Sequence, residues 1–406
     1  MSACQFDTGN TGGGVSPGDA SPGDAPKSMT DGQTDSDSSQ FDAMKVSDAG
    51  PACADWTQGH SLFDPCTDIT EVTTPLGINM SGGPYTYDTD LDQLRNPNND
   101  LVPHESDVVT FPGGSYIAIV SSNFVLGPNA TLRAFGSRPL AIISWNNISI
   151  AGTIDVSSNE TTSGPGANSS SCLAAIDGVS GEHGGGGGGG GGFASIGGTG
   201  GLGRVGGGGN GTDIGGAGGA GGLVSAPGLI RGGCPGGAGG AGDEVNGFGA
   251  GGDGGGAIHL TARGQVTVTG TIHAGGAGGF PGFDDRGAGG GGGSGGLIRL
   301  EGNTVAVGMA TLAANGGGGG GGGNNNPSVA GTHGLAALAV APGGPGEDTP
   351  AGDGGNGGFL NVLDGQLGTD GARGGGGAGG GVGHVQALTT NLVGDGAVQS
   401  SPQLTN

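Results

Sequence analysis

Charged residues make up only 11% of this 406-residue chain and aromatic residues only 4%. With a hydrophobic share of 32%, the chain lacks the material for the large conventional core of an enzyme-like globule of this length. Basic residues are the scarcest charge: 11 Lys and Arg stand against 35 Asp and Glu, a formal net charge of −24. That balance opposes phosphate backbones and anionic lipid headgroups, so nucleic acid is not an expected partner. No run of 18 apolar residues occurs, so no transmembrane span is expected. HExxH, Walker and paired CxxC patterns are missing too. The expectation is therefore a protein that is not an enzyme, with no catalytic residues, no metal ligands and no cofactors.

What the chain has in excess is glycine, 109 residues, about four times the usual share. Its five cysteines divide as one plus two plus two: Cys4, then Cys53 and Cys66, then Cys172 and Cys234. Two disulfides, Cys53–Cys66 and Cys172–Cys234, would brace a chain short of core and imply an oxidising compartment; free thiols are the alternative. Met1-Ser2-Ala3-Cys4 has the small-small-Cys ending of a lipoprotein signal, so the expectation is that Cys4 is a lipidation site and the true start lies upstream; a chance cysteine in a disordered tail is the alternative. Residues 1–52 are rich in Gly, Ser, Pro and Asp and read as a disordered acidic tether. Residues 53–112, with Trp56, Phe63, Tyr85, Tyr87 and Phe111, read as a disulfide-linked cap module. Within it, Tyr85 to Asp92 alternates as a strand. Asp88, Asp90 and Asp92 have the spacing of a calcium loop, but Gln93 stands where such a loop needs glycine, so an exposed strand face is expected.

Residues 113–402 carry an internal repeat. The unit at 139–157 recurs at 256–276 and 296–317, with a weaker copy at 381–399. Each strong copy has period-two alternation in short pieces, which means short strands burying one face. Stacking would align Leu140, Ile258 and Ile298 in one ladder and Ile150, Val268 and Val307 in another. The predicted fold class is all-β, a β-solenoid-like stack of short strands. A β-sandwich with disordered glycine-rich loops is the alternative.

Glycine-rich excursions occupy about 158–255, 275–295 and 316–380, including Gly184–Gly192 and Gly316–Gly323. Alanine often interrupts them at every third residue, as in GGAGGAGG at 215–222. Period three marks a polyproline-II-type, here polyglycine, helix, whose N–H and C=O groups must find a neighbour. A collagen helix is excluded, because strict Gly-X-Y with abundant proline is absent.

The acidic tail behind Cys4, the unit SRPLAIISWNNISIAGTIDVSS at 137–158 and RGGCPGGAGGAGD at 231–243 together resemble a group of glycine-rich surface proteins and lipoproteins of myxobacteria and related bacteria. The resemblance covers most of the chain and implies localisation and architecture, not an activity. The period-three glycine pattern is also similar in part to phage adhesins and an arthropod antifreeze protein that pack polyglycine helices.

Other chemistry is thinly represented. Two Gly-Gly-x-Gly-x-Asp matches, Gly208 to Asp213 and Gly343 to Asp348, are not in tandem, as a calcium roll requires. Asp155, His273 and Arg263 fall near strand ends without a pattern that makes them converge. His259, Arg299 and His384 share a repeat position and read as a solvated outward ladder. Thr267, Thr269 and Thr271 form an outward row that the next copy, with Ala306, Gly308 and Ala310, does not extend. The functional expectation is a secreted or outer-surface structural or adhesive protein, with a lipid anchor at Cys4 and an unknown surface or extracellular ligand. Contact would be made by an exposed polyglycine surface through its backbone. The alternatives are a polysaccharide-active enzyme and a calcium- or ice-binding protein.

Overall fold

The computed structural model describes residues 68–69, 75–111, 114–204, 215–228, 230–242, 247–283, 286–348, 350–394 and 399–405. The chain divides into two units, Met1–Asp48 and Ala49–Asn406, and all described residues belong to the second. The tether, Cys4, Cys53, Cys66 and the match at Gly208 to Asp213 lie outside the described residues.

The protein is all-β, and every described element is a strand. The first part of the chain forms β1 (Ile78–Met80), β2 (Gly83–Asp88), β3 (Gln93–Arg95), β4 (Glu105–Phe111) and β5 (Gly114–Ser121). There follow β6 (Phe124–Leu126), β7 (Ala130–Phe135), β8 (Leu140–Ser144), β9 (Ile148–Ile150) and β10 (Thr153–Asp155). Beyond the first long excursion come β11 (Ala257–Val268), β12 (Thr271–His273), β13 (Leu297–Ala306) and β14 (Thr311–Ala313). The last are β15 (His384–Leu388), β16 (Leu392–Val393) and β17 (Gln399–Ser401).

These strands form two sheets, and the chain alternates between them. One holds β1, β4 to β6, β8, β9, β11, β13, β15 and β16, and the other β2, β3, β7, β10, β12, β14 and β17. Apart from the hairpins β2–β3 and β4–β5, the pairs between named strands are parallel. One register runs Ile117, Leu140, Ile258, Ile298, Val385 across the first sheet. A second runs Leu132, Ile154, Ile272, Leu312 across the other. Both rows point inward into one apolar cluster, where each fully buried Ile or Leu contributes about 1.5–3 kcal/mol. Strands β1 and β2, from the 53–112 segment, enter the same two sheets, through Ile78 opposite Phe124 and Tyr85 opposite Leu132. Residues 78–88 and 117–135 thus add strands that join the same registers, ahead of the copies legible in the sequence.

The first sheet is buried on its other face as well. Tyr116, Ala118, Val120, Ala141, Ile143 and Trp145 pack there with Phe193 and Ile230. This explains why β8, LAIIS, is buried at every position instead of alternating.

Each glycine-rich excursion leaves from the end of a second-sheet strand (β10, β12 or β14) and returns to the start of a first-sheet strand (β11, β13 or β15). All three therefore emerge on one side of the stack and meet there. The run 184–192 makes its bonds outward, to a different neighbour at each successive residue. Gly185, Gly188 and Gly191 donate to Arg286, Gly289 and Gly292; Gly186 and Gly189 donate to Val179 and Ile176; Gly187 and Gly190 donate to Gly201 and Gly198. Its carbonyls accept from three further segments, 216–222, 237–240 and 375–381. The runs 287–295, 316–323 and 374–381 each bond to six neighbouring segments in the same way. The expected exposed polyglycine surface is corrected by this arrangement: Gly184–Gly192 and Gly316–Gly323 are buried throughout. Absence of a Cβ lets backbones approach, and that approach removes the glycines from solvent.

Candidate functional site

A segment that bonds with period three also presents a side chain outward with period three. In the outer glycine-rich segments those positions carry apolar residues, with one threonine among nine. Leu173, Ile176 and Val179 form one exposed row, Ala217, Ala220 and Leu223 a second, and Ile196, Thr199 and Leu202 a third. Ile176 and Val179 donate to the carbonyls of Ala220 and Ala217, and Gly197, Gly200 and Gly203 donate to those of Gly222, Gly219 and Gly216, so the three rows adjoin. Ile176 and Leu223 are each 59% exposed and Val179 is 55% exposed. On the far side of the third row, Asp364 and Asp370 accept the backbone N–H groups of Ile196 (3.3 Å) and Leu202 (2.8 Å). The nine positions themselves carry no charge.

The residues singled out in the sequence fall elsewhere. His259 and Arg299 are opposite one another, but Arg299 faces Gln386, and His384 pairs with Leu297. The expectation of a solvated ladder is corrected: His259, Arg299 and Glu301 are buried, beneath the layer that contains Phe193 and Ile230. His259 Nε2 lies 2.9 Å from Glu301, and Arg299 Nε donates to Gln386 at 3.1 Å. Burial pushes the His259 pKa down against the opposing pull of Glu301. Its Nδ1 has no hydrogen-bond partner.

Asp155 and His273 do meet, on the outer face of the second sheet, with Arg133 in place of Arg263. Their strands put the three in one register. Arg133 lies 2.8 Å and His273 Nδ1 3.4 Å from Asp155 Oδ1, and Ser157 donates to it from both N–H and hydroxyl. Arg263 sits at the β11 bulge instead. Arg133 lies ahead of the first repeat copy that the sequence made visible, at 139–157, and carried no signal of its own.

The threonine row is also corrected. Thr267 faces Ala306, but Thr271 faces Thr311, not Ala310. Thr131, Thr153, Thr271 and Thr311 thus stand in one file across four strands. The third copy has one extra residue in its turn, where Met309 adopts a positive φ of 64°. The file is one residue wide, beside the charged row of Arg133, Asp155 and His273.

Asp88, Asp90 and Asp92 do not continue a strand. β2 ends at Asp88, which accepts from the N–H groups of Asp90 (2.9 Å) and Leu91 (3.1 Å) to close a turn. Asp90 binds Ser137, while Asp92 binds Tyr87, His104 and Ser106. Asp348 of the second calcium-like match bonds to Asn324 at 2.9 Å. No group of three or more metal-ligating side chains occurs among the described residues, nor a helix long and apolar enough to cross a membrane.

Cys172 and Cys234 lie 2.12 Å apart, sulfur to sulfur. Arg231 packs beside them, with its guanidinium 4.5 Å from the centre of the Phe193 ring. Nothing in the periodicity marked this arginine. No protein-family model, curated protein or solved structure matches the chain.

Proposed function

We propose that this chain is a secreted or outer-surface structural and adhesive protein without enzymatic activity. In this reading it is a β-solenoid whose excursions pack as a polyglycine lattice, tethered by its N-terminal segment with lipid at Cys4. The solenoid reading is supported by the inward registers that pass through successive parallel strands. The lattice reading is supported by the threefold bonding of Gly185 to Gly191 to other segments. Kinship with the glycine-rich surface proteins and lipoproteins of myxobacteria belongs to the same proposal, as does a Cys53–Cys66 bridge.

The observation that carries the function is the exposed lattice of side chains in rows 173–179, 196–202 and 217–223. Contiguous exposed apolar surface with a polar rim is the property of a contact face. Contact is therefore assigned to these side chains and not to glycine backbone, whose N–H groups are already bonded internally.

The test compares host cells carrying the wild-type chain with cells carrying Ile176→Asp with Leu202→Asp. Protease added outside intact cells is expected to remove the wild-type protein. The double variant, present in equal amount, is expected to reduce attachment to a solid surface several-fold. A protein inaccessible to the protease, or unchanged attachment, would defeat the reading.

A further inference from the structure

Away from the centre of the apolar rows, a cleft of about 1120 Å³ opens between Phe111, Arg138, the loop at 166–173, residues 225–228, and Ile230 and Arg231. Its chemistry runs against that of the chain. The protein has 35 acidic residues and 11 basic ones, yet among the described residues the cleft is lined by two arginines, Arg138 and Arg231, and by no Asp or Glu, the nearest carboxylates, Asp90 and Asp253, being bonded to the lining residues Ser137 and Asn168.

Arg231 is the stronger indication. It is 8% exposed, and all its described partners are neutral. Nε donates to the Ala226 carbonyl at 3.2 Å, another nitrogen bonds Ser225, and the sulfurs of Cys172 and Cys234 lie 3.6 and 3.7 Å away. A buried guanidinium is costly without a counter-charge, and the Phe193 face below it compensates only in part. The disulfide ties the 166–173 loop to the strand of chain next to Arg231, so the charge stays fixed at the cleft. Arg138, half-buried, donates one bond to the Thr89 carbonyl at 3.3 Å and leaves further N–H groups for a ligand.

The remaining lining is hydroxyl-rich, with Ser169, Ser170 and Ser171 along one wall, and Phe111 and Leu173 as apolar patches. The volume exceeds the range usual for small-molecule pockets and suits a segment of a chain. Fixed cations, many hydroxyls and apolar patches match an acidic sugar polymer, whose rings offer hydroxyl edges and apolar faces. We propose that the cleft binds an anionic saccharide chain, with Arg138 and Arg231 holding its carboxylate or sulfate groups. The site is separate from the adhesive face except at Leu173, so each proposal can fail alone.

Calorimetric titration of the full chain with short oligogalacturonate, sulfated dextran, neutral dextran and hexa-aspartate tests it. One of the two anionic saccharides is expected to bind, and which one binds identifies the anion as carboxylate or sulfate. Neutral dextran and hexa-aspartate are expected not to bind. Arg138→Glu, at the half-buried rim, is expected to weaken binding at least tenfold with an unchanged thermal midpoint. Arg231→Lys, which keeps the charge but not the fork, is expected to weaken it less. The proposal is overturned if neither anionic saccharide binds, if hexa-aspartate alone binds, or if Arg138→Glu leaves binding intact.

Discussion

Gly190 lies in the interior of the glycine-rich bundle, and a Cβ placed on it would collide with the Gly379 carbonyl oxygen. That carbonyl accepts the Gly198 N–H at 3.0 Å and the Gly379 N–H donates to Gln366 at 2.9 Å, so the neighbour cannot retreat without breaking those bonds. Gly190→Ala is expected to cost about 3 kcal/mol in a denaturant titration. Gly308→Ala is the matched control, since a Cβ there meets nothing within 4 Å, and it is expected to fall within about 0.5 kcal/mol of wild type. At this scale, glycine in the runs was legible, because only a residue without a side chain survives such contact. The roles of His259 and Arg231 were not. A histidine on a strand face is solvated or buried according to what covers the strand, and the cover here comes from residues as distant in sequence as Phe193 and Ile230.

Among the elements, Asp155 on β10 shows how a register creates a charge cluster. Burial alone would raise its pKa, but the bond to His273, the charge of Arg133 and the bonds from Ser157 hold it well below the usual carboxylate range. A carboxylate depressed in the folded state adds stability that is fully present above its unfolded value, near pH 4, and is lost as pH falls through the folded value. Asp155→Asn is expected to destabilise the protein by about 2 kcal/mol at pH 7 and to flatten the loss of stability below pH 4. Denaturant midpoints measured between pH 2 and 7 check both. The apolar ladder through Leu140, Ile258 and Ile298 could be read from the repeat. The Thr271–Thr311 pairing was obscured, since one extra residue near Met309 moves both the outward Thr271–Thr311 pair and the inward Ile272–Leu312 pair one position on from the offset of the β11–β13 pairing at Thr267–Ala306.

For the whole molecule, the bonding of the glycine-rich runs makes three sequence-distant excursions depend on one another. Gly185 to Gly191 bond to segments near 176–179, 198–201 and 286–292, so releasing one run unsettles its neighbours. Peptides covering 184–192 and 316–323 are therefore expected to exchange their amide hydrogens as slowly as those covering β11 and β13. Exchange within seconds, as in a flexible loop, would contradict the lattice reading. Composition and periodicity by themselves determined that the chain is all-β, that Leu140, Ile258 and Ile298 share a ladder, and that glycine recurs with a spacing suited to lateral bonding. These are local properties, set by the period of a strand or an extended helix. Only the tertiary structure decided that the glycines are interior while Leu173, Ile176, Val179 and Leu202 are exterior, and that Arg231 lines a cleft with no acidic side chain among the described residues. The physical reason is that burial depends on which segments become neighbours, and here the neighbours are chosen by the three crossings that return to one side of the strand stack.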